Sequence, residues 1–154
     1  MSARPRCLPQ QRMNRTELKE KALRLLVRRE YSKFELKSRL REEEGIDEVL
    51  AELEAEGWLS DRRYVDQLVN ARLGRYGRSH VVHELREKGV SEDLIHGALP
   101  RIMDAEQDAL KSVWEKKFGK MPGDRKELGK QVRFLQGRGF SLDEILRLIG
   151  SFET

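Results

Sequence analysis

A single cysteine, ten aromatic residues and no long apolar run set the first limits on this 154-residue chain. Cys7 stands alone, which excludes an intramolecular disulfide framework and a multi-cysteine zinc site and fits a reducing cytoplasm. No stretch approaches the ~18 apolar residues of a membrane span, so no membrane partner is expected. Residues 1–14 carry Arg4, Arg6 and Arg12 but neither an acid nor an apolar segment, so they do not read as a secretory signal. They read instead as a disordered basic leader, within which Met13 is a second candidate start. A Gly-rich phosphate loop is also missing, because the glycines fall at helix ends and no strand precedes them. The run Glu42, Glu43, Glu44 sits at a helix end and reads as a solvated terminus rather than a paired-carboxylate site. His80 and His83 lie three apart beside Glu84, whereas the zinc-protease helix needs its histidines four apart, and His96 is the only other histidine. No catalytic residue, metal or cofactor is therefore assigned, and no enzymatic activity is expected.

What the chain has in quantity is charge. Charged residues make up 38% of it, as much as the whole hydrophobic set, which leaves little material for a thick spherical core. A composition rich in Leu, Glu, Lys and Arg suits amphipathic helices packed in thin layers. The net charge of +4 is less informative than it looks, because +3 of it belongs to the leader and the body keeps only +1. An argument for a nucleic-acid partner must therefore rest on a local patch. Between Asp61 and Gly89 there are seven Lys or Arg against four acids; residues 15–60 hold ten against twelve, and residues 90–154 eleven against eleven. On these counts the middle is the only net basic part of the body. Arg62, Arg72, Arg75 and Arg78 surround the junction of two central helices, with Arg86 and Lys88 further on and Tyr76 among them. Two readings stay open for these six cations: a surface for a partner or DNA, or a solvated face.

Along the chain, helix starts recur. Asn14 with Glu17 is a cap, and Ser32 with Glu35 is a capping box inside the staple Tyr31–Leu36. Ser60 caps the next helix with Leu59 and Tyr64 as staple; Tyr76 and Val81 repeat the staple around Gly77. Val90-Ser91 with Ile95 opens a short helix expected to end before Pro100, and a longer helix holds Ala109, Val113, Trp114 and Phe118. Asp124 with Glu127, and Ser141 with Glu144, open the last two helices. Phe34, Trp58, Tyr64, Trp114, Phe118, Phe134 and Phe140 fall at core spacing. Tyr31, Leu36 and Leu40 shift by 45 onto Tyr76, Val81 and Leu85, and Leu85, Gly89, Val90 and Ser91 shift by 50 onto Leu135, Gly139, Phe140 and Ser141. A Gly followed by an apolar residue recurs as Gly45-Ile46, Gly89-Val90 and Gly139-Phe140. Units that cannot each bury a full face stack into an array. The expectation is an all-α chain of three tandem three-helix, helix-turn-helix-like repeats, at 15–59, 60–103 and 104–154, behind the leader at 1–14.

These residues resemble the RecX family of recombinase regulators over about 16–150. The resemblance runs through Arg29, Ser32-x-x-Glu35-Leu36-x-x-x-Leu40, Gly57-Trp58-Leu59-Ser60-Asp61-x-Arg63-Tyr64, Asn70-x-Arg72 and Tyr76-Gly77. It continues through Glu84-Leu85-x-x-Lys88-Gly89-Val90-Ser91 and Arg133-Phe134-Leu135-x-x-Arg138-Gly139-Phe140. One departure stands out: the family often has proline after Tyr-Gly and a basic residue two positions later, where this chain has Arg78 and His80. The resemblance implies an elongated, curved helical array without catalysis, and three repeats with little apolar material lead to the expectation of a monomer. The resemblance also implies binding to the RecA filament on single-stranded DNA, damping of its ATPase, strand exchange and co-protease activities, and some direct DNA contact. Two other classes remain open beside it. One is a stand-alone DNA-binding protein of stacked helix-turn-helix units, which would show steep salt dependence. The other is a helical-repeat adaptor with no nucleic-acid role.

Overall fold

The computed structural model describes residues 14–41 and 43–150; Arg4, Arg6, Arg12, Cys7, Met13 and Glu42 lie outside the described residues. Among the described residues the chain is all helical, with no strand: α1 (Arg15–Arg28), α2 (Lys33–Arg39), α3 (Ile46–Ala55), α4 (Asp61–Arg72), α5 (Arg78–Glu87), α6 (Glu92–Lys117), α7 (Arg125–Gly137) and α8 (Leu142–Ile149). Most of the starts are dictated by one side chain. Asn14, Ser32 and Ser60 accept the backbone N–H three residues on at 2.8, 3.0 and 3.2 Å. Ser91, Asp124 and Ser141 do the same at 3.3, 2.8 and 3.2 Å. Each such cap satisfies a donor that the first helical turn cannot, and contributes about 1 kcal/mol.

The described residues form two compact units that divide between Tyr64 and Val65, inside α4. In the first unit α1, α2 and α3 enclose Leu18, Leu36, Leu50 and Leu53, each fully buried, with the staple residues Tyr31 and Leu36 both in this core. Two aromatics expected there are outside it: Phe34 is 55% and Trp58 49% exposed. Phe34 lies two residues before Leu36, so a rotation of about 200° points it away from the face that Leu36 and Leu40 bury. Trp58 follows the turn at Gly57, and Leu59, 2% exposed, takes the inward position instead.

The second unit is organised around α6. Its buried stripe, Ile95, Ala98, Ile102, Glu106, Ala109 and Val113, runs unbroken from one end to the other. Pro100 was expected to stop a short helix; it lies inside α6, which continues through it. The steps of three and four residues on both sides keep one face against α5, α7 and α8, and this packing outweighs the lost N–H at the proline. Around the far end of α6, Leu135, Phe140, Ile145 and Ile149 complete a second core.

The recurrent glycine turn is also real, with one substitution. Trp58, Val90 and Phe140 donate their N–H to Leu53, Leu85 and Leu135 at 2.9, 3.1 and 3.2 Å, each after a left-handed glycine. Gly57-Trp58 thus shares the geometry of Gly89-Val90 and Gly139-Phe140, whereas Gly45-Ile46 opens α3 instead of closing a helix.

Candidate partner-binding surface

The Tyr76-Gly77-Arg78 turn, central to the sequence reading, is held by neighbours far along the chain. Three consecutive N–H groups at the start of α5 find their acceptors outside α5. Gly77 donates to the Arg138 carbonyl at 2.8 Å, Arg78 to the Glu106 carboxylate at 2.8 Å, and Ser79 to the Gly139 carbonyl at 3.2 Å. Glu106 is 7% exposed, so α6 places a buried carboxylate at the positive end of the α5 dipole. A proline at residue 78, the common choice in the resemblance described above, would have no N–H to offer it. The backbones meet so closely that Gly77 and Gly139 leave no room for a side chain: a Cβ on Gly77 would lie 2.5 Å from the Gly139 carbonyl oxygen. Beside them Tyr76 stacks on His80 with ring centroids 4.1 Å apart, and the Arg138 guanidinium lies 5.2 Å from the Tyr76 ring.

The six cations singled out from sequence divide by what they touch. Arg72 is half-buried and makes a forked pair with Glu84, at 2.8 and 2.7 Å. Arg86 does the same with Glu92 at 2.7 and 3.0 Å, at the surface. Both pairs hold their carboxylates below the ordinary range, mainly through the hydrogen bonds from the arginines. Lys88 is half-buried at the end of α5. Arg62 is exposed and belongs to the first unit, while Arg75, exposed, and Arg78, half-buried, flank Tyr76-Gly77 in the second. Within the second unit, Arg72 and Arg86 are thus engaged by carboxylates of their own. The histidines pair along α5, His83 with Glu87 at 2.7 Å and His80 with Glu84 at 3.5 Å.

A larger basic surface lies where the sequence count came out neutral. The acids of residues 90–154 concentrate at its two ends, and the window 111–138 alone holds nine Lys or Arg against three acids. The middle of the chain is therefore not the only net basic part of the body. The end of α6, the turn after it and α7 enclose an open furrow of about 740 Å³, lined by Lys117, Lys120, Lys126, Lys130 and Arg133 together with Asp124 and Glu127. A second hollow of about 340 Å³ shares Lys117 and adds Arg75, Lys116 and Arg138 around Phe134. Phe118 and Phe134 meet edge to face at 5.5 Å, and Lys117 and Arg138 lie over the Phe134 ring. Behind the furrow, Gln131 is 1% exposed; it accepts the Trp114 indole N–H at 2.8 Å and donates to the Lys120 carbonyl at 3.0 Å. That side chain fixes the turn carrying Lys120 against α7. The sequence signal was present, since Lys126, Lys130 and Arg133 follow the four-then-three spacing of one helix face, but averaging over 65 residues removed it.

Fold and surface together define an all-helical protein of tandem three-helix units with no transmembrane helix among the described residues. Residues 60–99 match the family profile described as the second three-helix domain of RecX, and residues 104–149 the third. The regulatory protein RecX of Ralstonia pickettii is 37% identical over 146 residues, covering 92% of this chain and 90% of its own. That of Ralstonia nicotianae is 38% identical over 146 residues, with the same coverage. The crystal structure of RecX from Lactobacillus salivarius superposes with a TM-score of 0.70 at 18% identity, over 88% of this chain and 94% of that one. The chain belongs to the RecX family.

Proposed function

We propose that this protein binds the RecA filament on single-stranded DNA and restrains its ATPase, strand exchange and co-protease activities. One observation carries the reading: relatives named regulatory protein RecX match along nearly the whole chain. On this reading the protein is a binding regulator without catalysis of its own, acts in the cytoplasm as a monomer, and uses the modules 15–59, 60–103 and 104–154 as its repeats. Arg62, Arg75 and Arg78 are the central cations best suited to an external acidic or phosphate partner, because Arg72 and Arg86 already hold carboxylates. Complementary charge mainly speeds and orients such an association. The test is RecA ATPase on single-stranded DNA with less than one copy of this protein per RecA. The expected result is a dose-dependent loss of hydrolysis; an unchanged rate up to equimolar amounts refutes the proposal.

A further inference from the structure

The furrow beside α7 is not used by the central arginines or by the clasp at Gly77. Several cations elsewhere in the molecule are held by carboxylates: Lys19 by Glu52 and Glu56, Arg63 by Glu30, Arg72 by Glu84, Arg86 by Glu92 and Arg101 by Asp66. Lys117, Lys120, Lys126, Lys130 and Arg133 have no such pair, although Asp124 and Glu127 line the same furrow. Asp124 is turned to its own helix, where it accepts the Glu127 N–H at 2.8 Å. Five like charges gathered in one hollow repel each other, and an anion would relieve that cost.

The lining says which anion. Lys126, Lys130 and Arg133 form one stripe about 10 Å long on α7, given the rise of 1.5 Å per residue. The uncharged part of the lining is apolar, with Phe118 half-buried and Met121 54% exposed. The one amide side chain, Gln131, is already engaged by Trp114 and the Lys120 carbonyl. Cations can neutralise phosphates and ring faces can receive bases, but no free amide or hydroxyl remains to read a base edge.

We propose that this furrow holds the backbone of single-stranded nucleic acid without regard to sequence, with Lys117, Lys120, Lys126, Lys130 and Arg133 neutralising its phosphates. The inference stands on the chemistry of the furrow and does not require RecA, so its test leaves RecA out.

The experiment is fluorescence anisotropy of a labelled oligothymidine with the full chain, repeated over a range of salt. Each phosphate neutralised contributes about 0.7 to the slope of log affinity against log salt, so five cations predict a slope near −3.5. Lys126→Glu, Lys130→Glu and Arg133→Glu together are expected to weaken binding at least about tenfold and to flatten the slope by about 2. Lys21→Glu, Arg24→Glu and Arg28→Glu on α1 change the net charge equally and are expected to leave binding within about threefold, since these residues do not line the furrow and exposed charges are screened. If circular dichroism shows that the reversed variant is unfolded, the three glutamine replacements take its place, with the same flattening of about 2, since each also gives up one phosphate contact. Equal weakening by the α1 control overturns the proposal, as does unaltered binding in the furrow variant. Displacement of the oligonucleotide by oligoglutamate at lower concentration would overturn it too, by making an acidic peptide the ligand. A furrow variant that loses oligothymidine yet still inhibits RecA supports this site and leaves the filament proposal intact. Furrow-dependent oligothymidine binding by a protein that leaves RecA unaffected supports this site and refutes the filament proposal alone.

Discussion

A methyl group at residue 77 would meet only backbone: the Gly139 carbonyl oxygen at 2.5 Å, its carbon at 2.6 Å and the Phe140 nitrogen at 2.7 Å. No side chain can swing aside, so the two segments must part and surrender the bonds from Gly77 and Ser79. Gly77→Ala is expected to cost about 2–4 kcal/mol in a urea melt, combining overpacking with lost hydrogen bonds. Gly123→Ala, with open space around it, should change stability by less than about 1 kcal/mol. Similar midpoints for the two variants would contradict the close approach. At the same scale, Arg72→Ala removes both charge-assisted bonds to Glu84 and should cost about 1–2 kcal/mol at neutral pH. The Arg72 guanidinium holds the Glu84 carboxyl below its ordinary value of 4.5. Its contribution is therefore complete above that value and disappears as pH falls through the lower folded one. Melts of the wild type and Glu84→Gln should diverge at pH 7 and converge toward pH 3; a constant difference would show that the pair's charge is not what stabilises. The glycines at 77 and 139 were legible as turn positions, but their mutual approach spans 62 residues and leaves no local signature. Glu106 had one: it falls on the stripe of Ile102, Ala109 and Val113, where a carboxylate needs a buried donor.

At the scale of elements, helix starts were readable because a cap is decided within four residues. All six proposed caps are formed, from Asn14 to Ser141. Pro100 misled because its local rule competes with packing along the rest of α6, which no short window contains. Proline leaves the His96 carbonyl without its helical donor and crowds it. Pro100→Ala is therefore expected to raise stability by about 1–3 kcal/mol, read as a higher melting temperature. A lower melting temperature would mean that α5 and α7 pack against a bend the proline imposes. The misplaced aromatics have a related cause. Trp58 adjoins the core residue Leu59 and Phe34 lies two residues before Leu36, and a phase of one or two residues on a short helix or turn decides which side is buried.

Across the whole molecule, charge distribution rather than net charge separates surfaces that can recruit a partner from surfaces that hold themselves together. The central cations were visible in the sequence; their pairing was not, because Glu84 lies twelve residues beyond Arg72 and Glu92 six beyond Arg86, each across a turn between helices. Arg72→Glu would place two carboxylates together, so any loss of RecA inhibition it causes should follow the loss of folded protein. Arg75 and Arg78 offer the cleaner test. Arg75 is exposed and can be reversed, whereas Arg78 is better replaced by glutamine because its own N–H already holds the Glu106 carboxylate at 2.8 Å. Arg75→Glu with Arg78→Gln should shift stability by less than about 1 kcal/mol, since surface charges without a carboxylate partner rarely contribute more. If these side chains meet the filament, association should slow and the half-inhibitory concentration should rise tenfold for each 1.4 kcal/mol lost. The deciding measurement pairs a melt with RecA ATPase at two salt concentrations, because a charge-steered contact loses its advantage as salt rises. Wild-type inhibition by the folded double variant at low salt would assign Arg75 and Arg78 to the solvated face and, under the proposed function, direct the search for the RecA contact to Arg62 and the α7 furrow.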